Sequence, residues 1–181
     1  MKIGVMCSGN GTNFENIVRT CNKDEVVLMI HNKKKCGAVK RAVKFGVPHC
    51  YVNAKDEDQM IKLFEAWRVD LIVLAGYMRV IKNPSAMINV HPSLLPKYKG
   101  LNAVQQAMEA GEEYTGCTVH YVNEELDGGE IILQKEVPIL PEDTVESLTK
   151  AIQRMEYSLL PAAIEHVFNE LQTISMDYAK Y

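Results

Sequence analysis

The apolar positions of this 181-residue chain fall into short continuous runs separated by amphipathic stretches. Residues 2–7 (KIGVMC) are nearly all apolar, as a strand covered on both faces must be. A turn of Gly, Asn and Ser follows, then helical spacing over about 13–21. Residues 25–30 read as a second strand. Residues 36–45 have helical spacing and run into Gly46, a suitable C-cap. A short third strand is predicted at 49–52. An amphipathic helix is predicted over 57–67, with Met60, Leu63, Phe64 and Trp67 on one face. Residues 70–75 form a buried strand stopped at Gly76. This alternation predicts an α/β fold: an open, mostly parallel twisted sheet with right-handed crossovers and helices on both faces.

The pattern changes in the second half. A short strand at 87–90 and a helix at about 102–110 precede two strands, 115–122 and 131–137, rich in Val, Ile, Tyr and Thr. These later strands are expected to include antiparallel pairing. A long helix is predicted over about 144–171, and Pro161 inside it predicts a kink or break near Leu160. No repeat or linker divides the chain, so 1–181 reads as one domain.

Composition narrows the classes. Hydrophobic content of 47% and charged content of 24% are ordinary for a soluble globular protein, and the net charge of -3 favours neither nucleic acid nor a membrane surface. No apolar run approaches the ~20 residues of a membrane span. The N-terminal apolar run is too short for a signal peptide and reads as the first strand. Five scattered cysteines, none in a Cys-x-x-Cys pair, suggest reduced thiols and a cytoplasmic setting. Cys7 reads as a small buried residue rather than a nucleophile, because no basic partner is near it in sequence. The five histidines lack ligand spacing, so no metal is expected.

Candidate chemistry gathers at strand ends. In a strand over 87–90, Asn89 and His91 point the same way while Val90 faces the core. Pro92 holds His91 extended and stops the strand. An amide and an imidazole side by side suit oxyanion stabilisation or proton handling. Asp127 precedes Gly128 and Gly129, whose freedom would let the chain turn and bring a carboxylate to the same place. Taken alone, a His-Pro is usually a strand stop and Asp-Gly-Gly usually a turn. His120 is expected in a strand as a satisfied structural histidine, with Thr118 on the same face as its supporting partner.

The turn Ser8-Gly9-Asn10-Gly11-Thr12-Asn13 joins the first strand to the first helix. Small residues and a helix N-terminus suit a phosphate. No Gly-Lys-Ser/Thr follows, so it is not a P-loop. Phe14 stands where a dinucleotide fingerprint needs Gly or Ala, so a single phosphate ester fits better. The plain alternative is a capping turn with Thr12 or Asn13 as N-cap.

Four segments carry a family resemblance: residues 8–13, residues 73–79 (VLAGYMR), residues 89–100 (NVHPSLLPKYKG), and residues 116–133 with His120 and the ELDGG run. Over nearly its whole length the chain resembles the folate-dependent phosphoribosylglycinamide formyltransferases. The HPSLLP and LDGG motifs are shared by formyltransferases at large, and the first turn discriminates among them. The resemblance implies a Rossmann-like N-terminal part, with 1–100 as the nucleotide-phosphate half and 101–181 as the folate and catalytic half. It implies formyl transfer from 10-formyltetrahydrofolate to the amine of glycinamide ribonucleotide. Asn89, His91 and Asp127 would be catalytic. Gly11, Thr12 and Asn13 would hold the phosphate, and Gln153 and Glu156 the ribose and glycinamide portion. Met78, Arg79, Val80, Val122, Asn123 and Glu124 would line the folate pocket. It also leaves room for a homodimer. The stretches 53–70 and 78–89 are shorter than the family's, so a turn around Pro84 is expected in place of a helix, and the usual C-terminal tail is lacking. Sugar-nucleotide N-formyltransferase and formyltetrahydrofolate deformylase are the alternatives with the same core. The phosphate turn argues against the first, and the second expects a regulatory domain ahead of Met1. Methionyl-tRNA formyltransferase expects a further C-terminal domain. A non-catalytic ligand-binding domain is disfavoured by the intact Asn89, His91 and Asp127.

Overall fold

A computed structural model describes residues 1–21, 25–77 and 86–178, the last five of these as backbone only. Seven strands form one sheet: β1 (Ile3–Cys7), β2 (Val26–His31), β3 (His49–Tyr51), β4 (Leu71–Leu74), β5 (Met87–His91), β6 (Tyr114–Tyr121) and β7 (Ile131–Pro138). Their order is β3-β2-β1-β4-β5-β6-β7. The first five run parallel, while β6 pairs antiparallel with both β5 and β7. The expected sheet, with its antiparallel C-terminal strands, is the one observed.

Alternation along the buried strands builds a core on each face. Ile3, Val5 and Cys7 of β1 and Leu71 and Val73 of β4 pack with α1 (Thr12–Thr20), α2 (Ala38–Phe45), α4 (Ala103–Glu109) and α5 (Val145–Tyr178). The intervening Met6, Ile72 and Leu74 pack on the other face against Met60 and Phe64 of α3 (Glu57–Ala66). Gly4 is required there, because a Cβ would stand 2.5 Å from Phe64 Cε1. Both faces are therefore covered, which explains why these strands read as continuous apolar runs rather than alternating ones. No helix among the described residues is long and apolar enough to cross a membrane.

Two expectations change. Trp67 was expected on the buried face of α3, but the helix ends at Ala66, and Trp67 is its C-cap at 40% exposure. The predicted break at Pro161 does not occur, and α5 runs unbroken over 34 residues. Pro161 has no N–H to give the carbonyl of Tyr157, four residues earlier. Asn16 of α1 supplies the missing donor: its Nδ2 donates to Tyr157 O at 2.8 Å. The proline is tolerated because another helix satisfies the carbonyl it frees.

That substitution of partners is testable. Asn16→Leu should destabilise the fold by about 1–3 kcal/mol, the usual penalty for orphaning a buried polar group. Pro161→Ala, which restores the helical N–H, should remove most of that penalty in the double variant. Urea unfolding of the four proteins checks it, and purely additive losses would contradict the pairing.

Candidate active site

Sheet topology places the two candidate sites at the ends of β1 and β5, with β4 between them. Strand order reverses between β1 and β4, and such a switch point opens a crevice at the carboxyl ends of the strands. There the Ser8 N–H donates to Gly76 O at 3.1 Å, tying the turn after β1 to the end of β4. One strand further on, β5 ends at His91.

Register brings the polar side chains together. Asn89 of β5 pairs with His120 of β6, and His91 with Thr118. Asp127 arrives from the connection between β6 and β7. The left-handed residue in that turn is Asp127 itself, at φ 47°, not either following glycine. Gly128 and Gly129 are needed for space, since a Cβ would run into Glu125 at the first and Tyr121 O at the second.

The carboxylate is the meeting point. Asp127 Oδ2 lies 3.3 Å from His91 Nδ1 and accepts from the Gly100 N–H at 2.8 Å. Its Oδ1 accepts from Asn89 Nδ2 at 3.4 Å and lies 3.6 Å from His120 Nε2. Burial alone would raise this carboxyl. The contact with His120, the Gly100 amide and the charge of His91 together outweigh burial and hold it below the usual carboxylate range.

Partner chemistry assigns the ring protons. Tyr121 O can only accept, so His120 Nδ1, at 2.8 Å, carries the proton there. His120 Nε2 then meets two demands: neutral, it accepts from Asn89 Nδ2 at 3.2 Å, and protonated, it donates towards Asp127 Oδ1 and lowers that carboxyl. Tyr98 O likewise accepts from His91 Nε2 at 2.8 Å. His91 Nδ1 therefore faces Asp127, and a hydrogen bond between them needs one proton shared by imidazole and carboxyl. Both His91 nitrogens are engaged by the protein.

A cavity of about 40 Å³ opens beside this cluster, lined by Leu74, Tyr77, Asn89, His120, Val122, Asn123, Glu125, Leu126 and Asp127. At that size it takes the reacting end of a ligand rather than the whole of one. His91 stands behind Asp127 and does not line it. His120, expected as a structural residue, does. Glu124 is exposed and does not line the cavity, whereas Glu125 and Leu126 do. Met78, Arg79, Val80 and the turn expected at Pro84 lie outside the described residues. Thr118 is fully buried and works elsewhere. Its hydroxyl donates to Ser93 O at 2.7 Å and accepts from Leu95 N at 3.2 Å and Gln134 Nε2 at 2.8 Å. It clamps the segment after β5 rather than assisting His120.

The second candidate site is the turn after β1. Helix α1 begins at Thr12, with Gly11 as a left-handed N-cap at φ 73° and no side-chain cap. The caps expected at Thr12 or Asn13 are therefore not used, and the first-turn amides are left to a ligand or solvent. A Cβ on Gly11 would stand 2.5 Å from Ala38 Cβ, so glycine is required by packing as well as by conformation. Asn13 turns towards α5, where its Nδ2 donates to Glu156 Oε2 at 2.8 Å. Glu156 is 6% exposed, and burial pushes its carboxyl up despite that hydrogen bond. Asn13 Oδ1 is buried with no partner. Gln153 lies exposed three residues before Glu156, one turn away along α5. Cys7, at the end of β1, is buried, and burial pushes its thiol far above the ordinary range, so it supplies no thiolate here.

A Glu156→Gln variant should separate stability from binding. A raised folded value means the folded state favours the protonated acid. That contribution to stability is present below the ordinary carboxyl range and is lost as pH rises through the raised value. Gln cannot ionise, and its amide N–H can satisfy Asn13 Oδ1. Thermal melts should therefore match wild type in acid and exceed it by a few degrees at neutral pH. Equal melts at both pH values would contradict a strained carboxylate.

The chain is similar to known proteins over most of its length. The formyl transferase family model matches residues 1–164. A phosphoribosylglycinamide formyltransferase of Haemophilus influenzae is 39% identical, the match covering 91% of this chain and 85% of that protein. A Drosophila melanogaster trifunctional purine biosynthetic protein adenosine-3 is also 39% identical, but the chain spans only 14% of its length. The crystal structure of phosphoribosylglycinamide formyltransferase from Anaplasma phagocytophilum superposes with a TM-score of 0.88 at 36% identity, covering 94% of this chain and 88% of that one. Glycinamide ribonucleotide transformylase 1 from Symbiobacterium toebii gives 0.87 at 36% identity, over 91% and 85%. The chain belongs to the formyl transferase family, among its phosphoribosylglycinamide formyltransferases.

Proposed function

We propose that this chain transfers the formyl group of 10-formyltetrahydrofolate to the amine of glycinamide ribonucleotide, with Asn89, His91 and Asp127 as its catalytic groups. The observation that carries the reading is the convergence of Asn89, His91 and His120 on one buried carboxylate beside a cavity. The cavity's chemistry fits the reacting end of a folate, with Leu74, Tyr77, Val122 and Leu126 as apolar walls and Asn89, Asn123 and Asp127 as polar edges.

The steps balance without a covalent enzyme intermediate. The neutral amine attacks the formyl carbon, and the C=O electron pair moves onto oxygen. Asn89 Nδ2, at the cavity, turns one of its two N–H groups from His120 Nε2 to that oxyanion. One such preorganised donor is worth roughly 10²–10³ in rate. Asp127, held ionised by its partners, takes a proton from the attacking nitrogen, directly or through water. Collapse of the adduct breaks the bond to the folate nitrogen, which receives from Asp127, directly or through water, the proton taken from the amine. His91 orients Asp127 and shares its proton.

On the acceptor side, the α1 amides of Gly11, Thr12 and Asn13 receive the phosphate. The unpartnered Asn13 Oδ1, the Glu156 carboxylate and exposed Gln153 offer acceptors to the hydroxyl and amide groups beyond it. Their unused capacity is what a polar ligand would satisfy.

Asp127→Asn preserves volume and removes both charge and proton acceptance. Its turnover should fall about 10²-fold or more with melting behaviour little changed. Near-normal turnover in the folded variant would remove Asp127 from the mechanism. His91→Ala should lower turnover while calorimetric affinity for the ribonucleotide stays close to wild type, because His91 lies away from the α1 turn. Running wild type with the ribonucleotide, an amino-sugar nucleotide and water as formyl acceptors decides the reaction. Transfer to water or to the amino sugar alone would replace this reading with hydrolysis or sugar formylation.

A further inference from the structure

One short strap touches two of the catalytic groups. Residues 97–100 cross behind the site between β5 and α4, and Tyr98 stands at φ 55°, Gly100 at 80° and Asn102 at 59°. The Tyr98 carbonyl accepts from His91 Nε2 at 2.8 Å, and the Gly100 N–H donates to Asp127 Oδ2 at 2.8 Å. A left-handed backbone at a tyrosine is unfavourable unless its surroundings enforce it. At Tyr98 the enforcement comes from the other end of the residue. Its phenol donates to Glu112 Oε1 at 2.7 Å, and Lys97 Nζ reaches the same oxygen at 2.7 Å. Glu112 sits in the turn between α4 and β6, outside the catalytic cluster. The hydrogen bonds from Lys97 and Tyr98 hold its carboxyl below the usual range, so it stays an acceptor for both.

We propose that Glu112 and Tyr98 are positioning residues for the formyl transfer. Glu112 anchors the Tyr98 side chain, the anchored residue keeps its left-handed backbone, and the carbonyl so aimed fixes the His91 ring against Asp127. This rests on the role of His91 given above. Neither residue lines the cavity beside Asp127, so neither touches the reacting atoms. Without Glu112 the phenol is released, Tyr98 relaxes, and both the carbonyl on His91 and the Gly100 amide on Asp127 lose their aim.

The test measures kcat and KM for both substrates in Glu112→Ala, Glu112→Gln and Tyr98→Phe, each also in a His91→Ala background. A nitrogen NMR shift of the His91 ring accompanies the rates. Glu112→Ala should lower kcat about tenfold or more, since small misplacements of a catalytic group carry that penalty, with little change in either KM. Glu112→Gln should retain most activity, because its amide oxygen still accepts both bonds. Tyr98→Phe keeps the ring, breaks only the phenol contact, and should fall the same way if Glu112→Ala proves unstable. In the His91→Ala background the same changes should cost clearly less, since only the Gly100 contact with Asp127 is left to disturb. Full kcat in Glu112→Ala and Tyr98→Phe, or a loss that persists undiminished without His91, overturns the proposal. Should wild type fail to formylate the ribonucleotide, the functional reading fails instead. The His91 ring shift, moved by Glu112→Ala and not by Glu112→Gln, still decides the positioning claim.

Discussion

A carboxylate taken out of water must be surrounded by donors or surrender its charge, and Asp127 imposes that requirement on half the molecule. Its side chain is 9% exposed. Strand β5 supplies two elements of its shell, and β6, the strap of residues 97–100 and a left-handed turn supply one each. Asn89 and His91 come from β5 and His120 from β6. The Gly100 amide comes from the strap, and the φ of Asp127 itself turns the carboxylate inward. Shift the β5–β6 register by one residue and Asn89 and His91 leave that face together, because alternate side chains change sides. The clamp of Thr118 on the segment after β5 matters for the same reason: it holds that segment to β6.

The seam between α1 and α5 shows the opposite treatment of polar groups within one turn of helix. Asn16 meets the carbonyl that Pro161 frees, and the account closes there with donor matched to acceptor. Asn13 meets Glu156, and capacity is left over, with an amide oxygen buried without a partner and a carboxyl raised by desolvation. A fold selected for stability alone would not keep that arrangement. Unsatisfied polar capacity beside an uncapped helix N-terminus is what the proposed phosphate and ribose contacts would use, at some expense in stability.

Local signals were legible in the sequence, and non-local ones were not. Period changes and Gly46 and Gly76 located the elements to within a few residues. Strand alternation alone put Asn89 and His91 on one side. His120 is the buried, hydrogen-bonded strand histidine expected, but its place in the cavity depends on pairing with Asn89, 31 residues away, which no local pattern encodes. Gly128 and Gly129 suggested a flexible turn, but the left-handed residue is Asp127, and the glycines serve only close packing. The unbroken α5 was hidden because its tolerance of Pro161 depends on a side chain in α1. Tyr98 and Glu112 carried no signal at all. The Thr118 hydroxyl is used by the 93–95 backbone and the Gln134 side chain, partners far away in sequence.

The spacing of the two sites bears on which acceptor they suit. The α1 turn follows β1, and the carboxylate cluster follows β5, with β4 between them. Two strand spacings amount to roughly 10 Å. A phosphate seated on the α1 amides must present its amine across that gap to reach the face of Asp127. A phosphorylated pentose with an amide arm is a ligand of that length, polar along its middle and nucleophilic at its far end. An acceptor without phosphate would leave the uncapped amides empty, and water would need neither Glu156 nor Gln153. The spacing of the two sites and the uncapped α1 amides thus argue for the ribonucleotide independently of the carboxylate cluster.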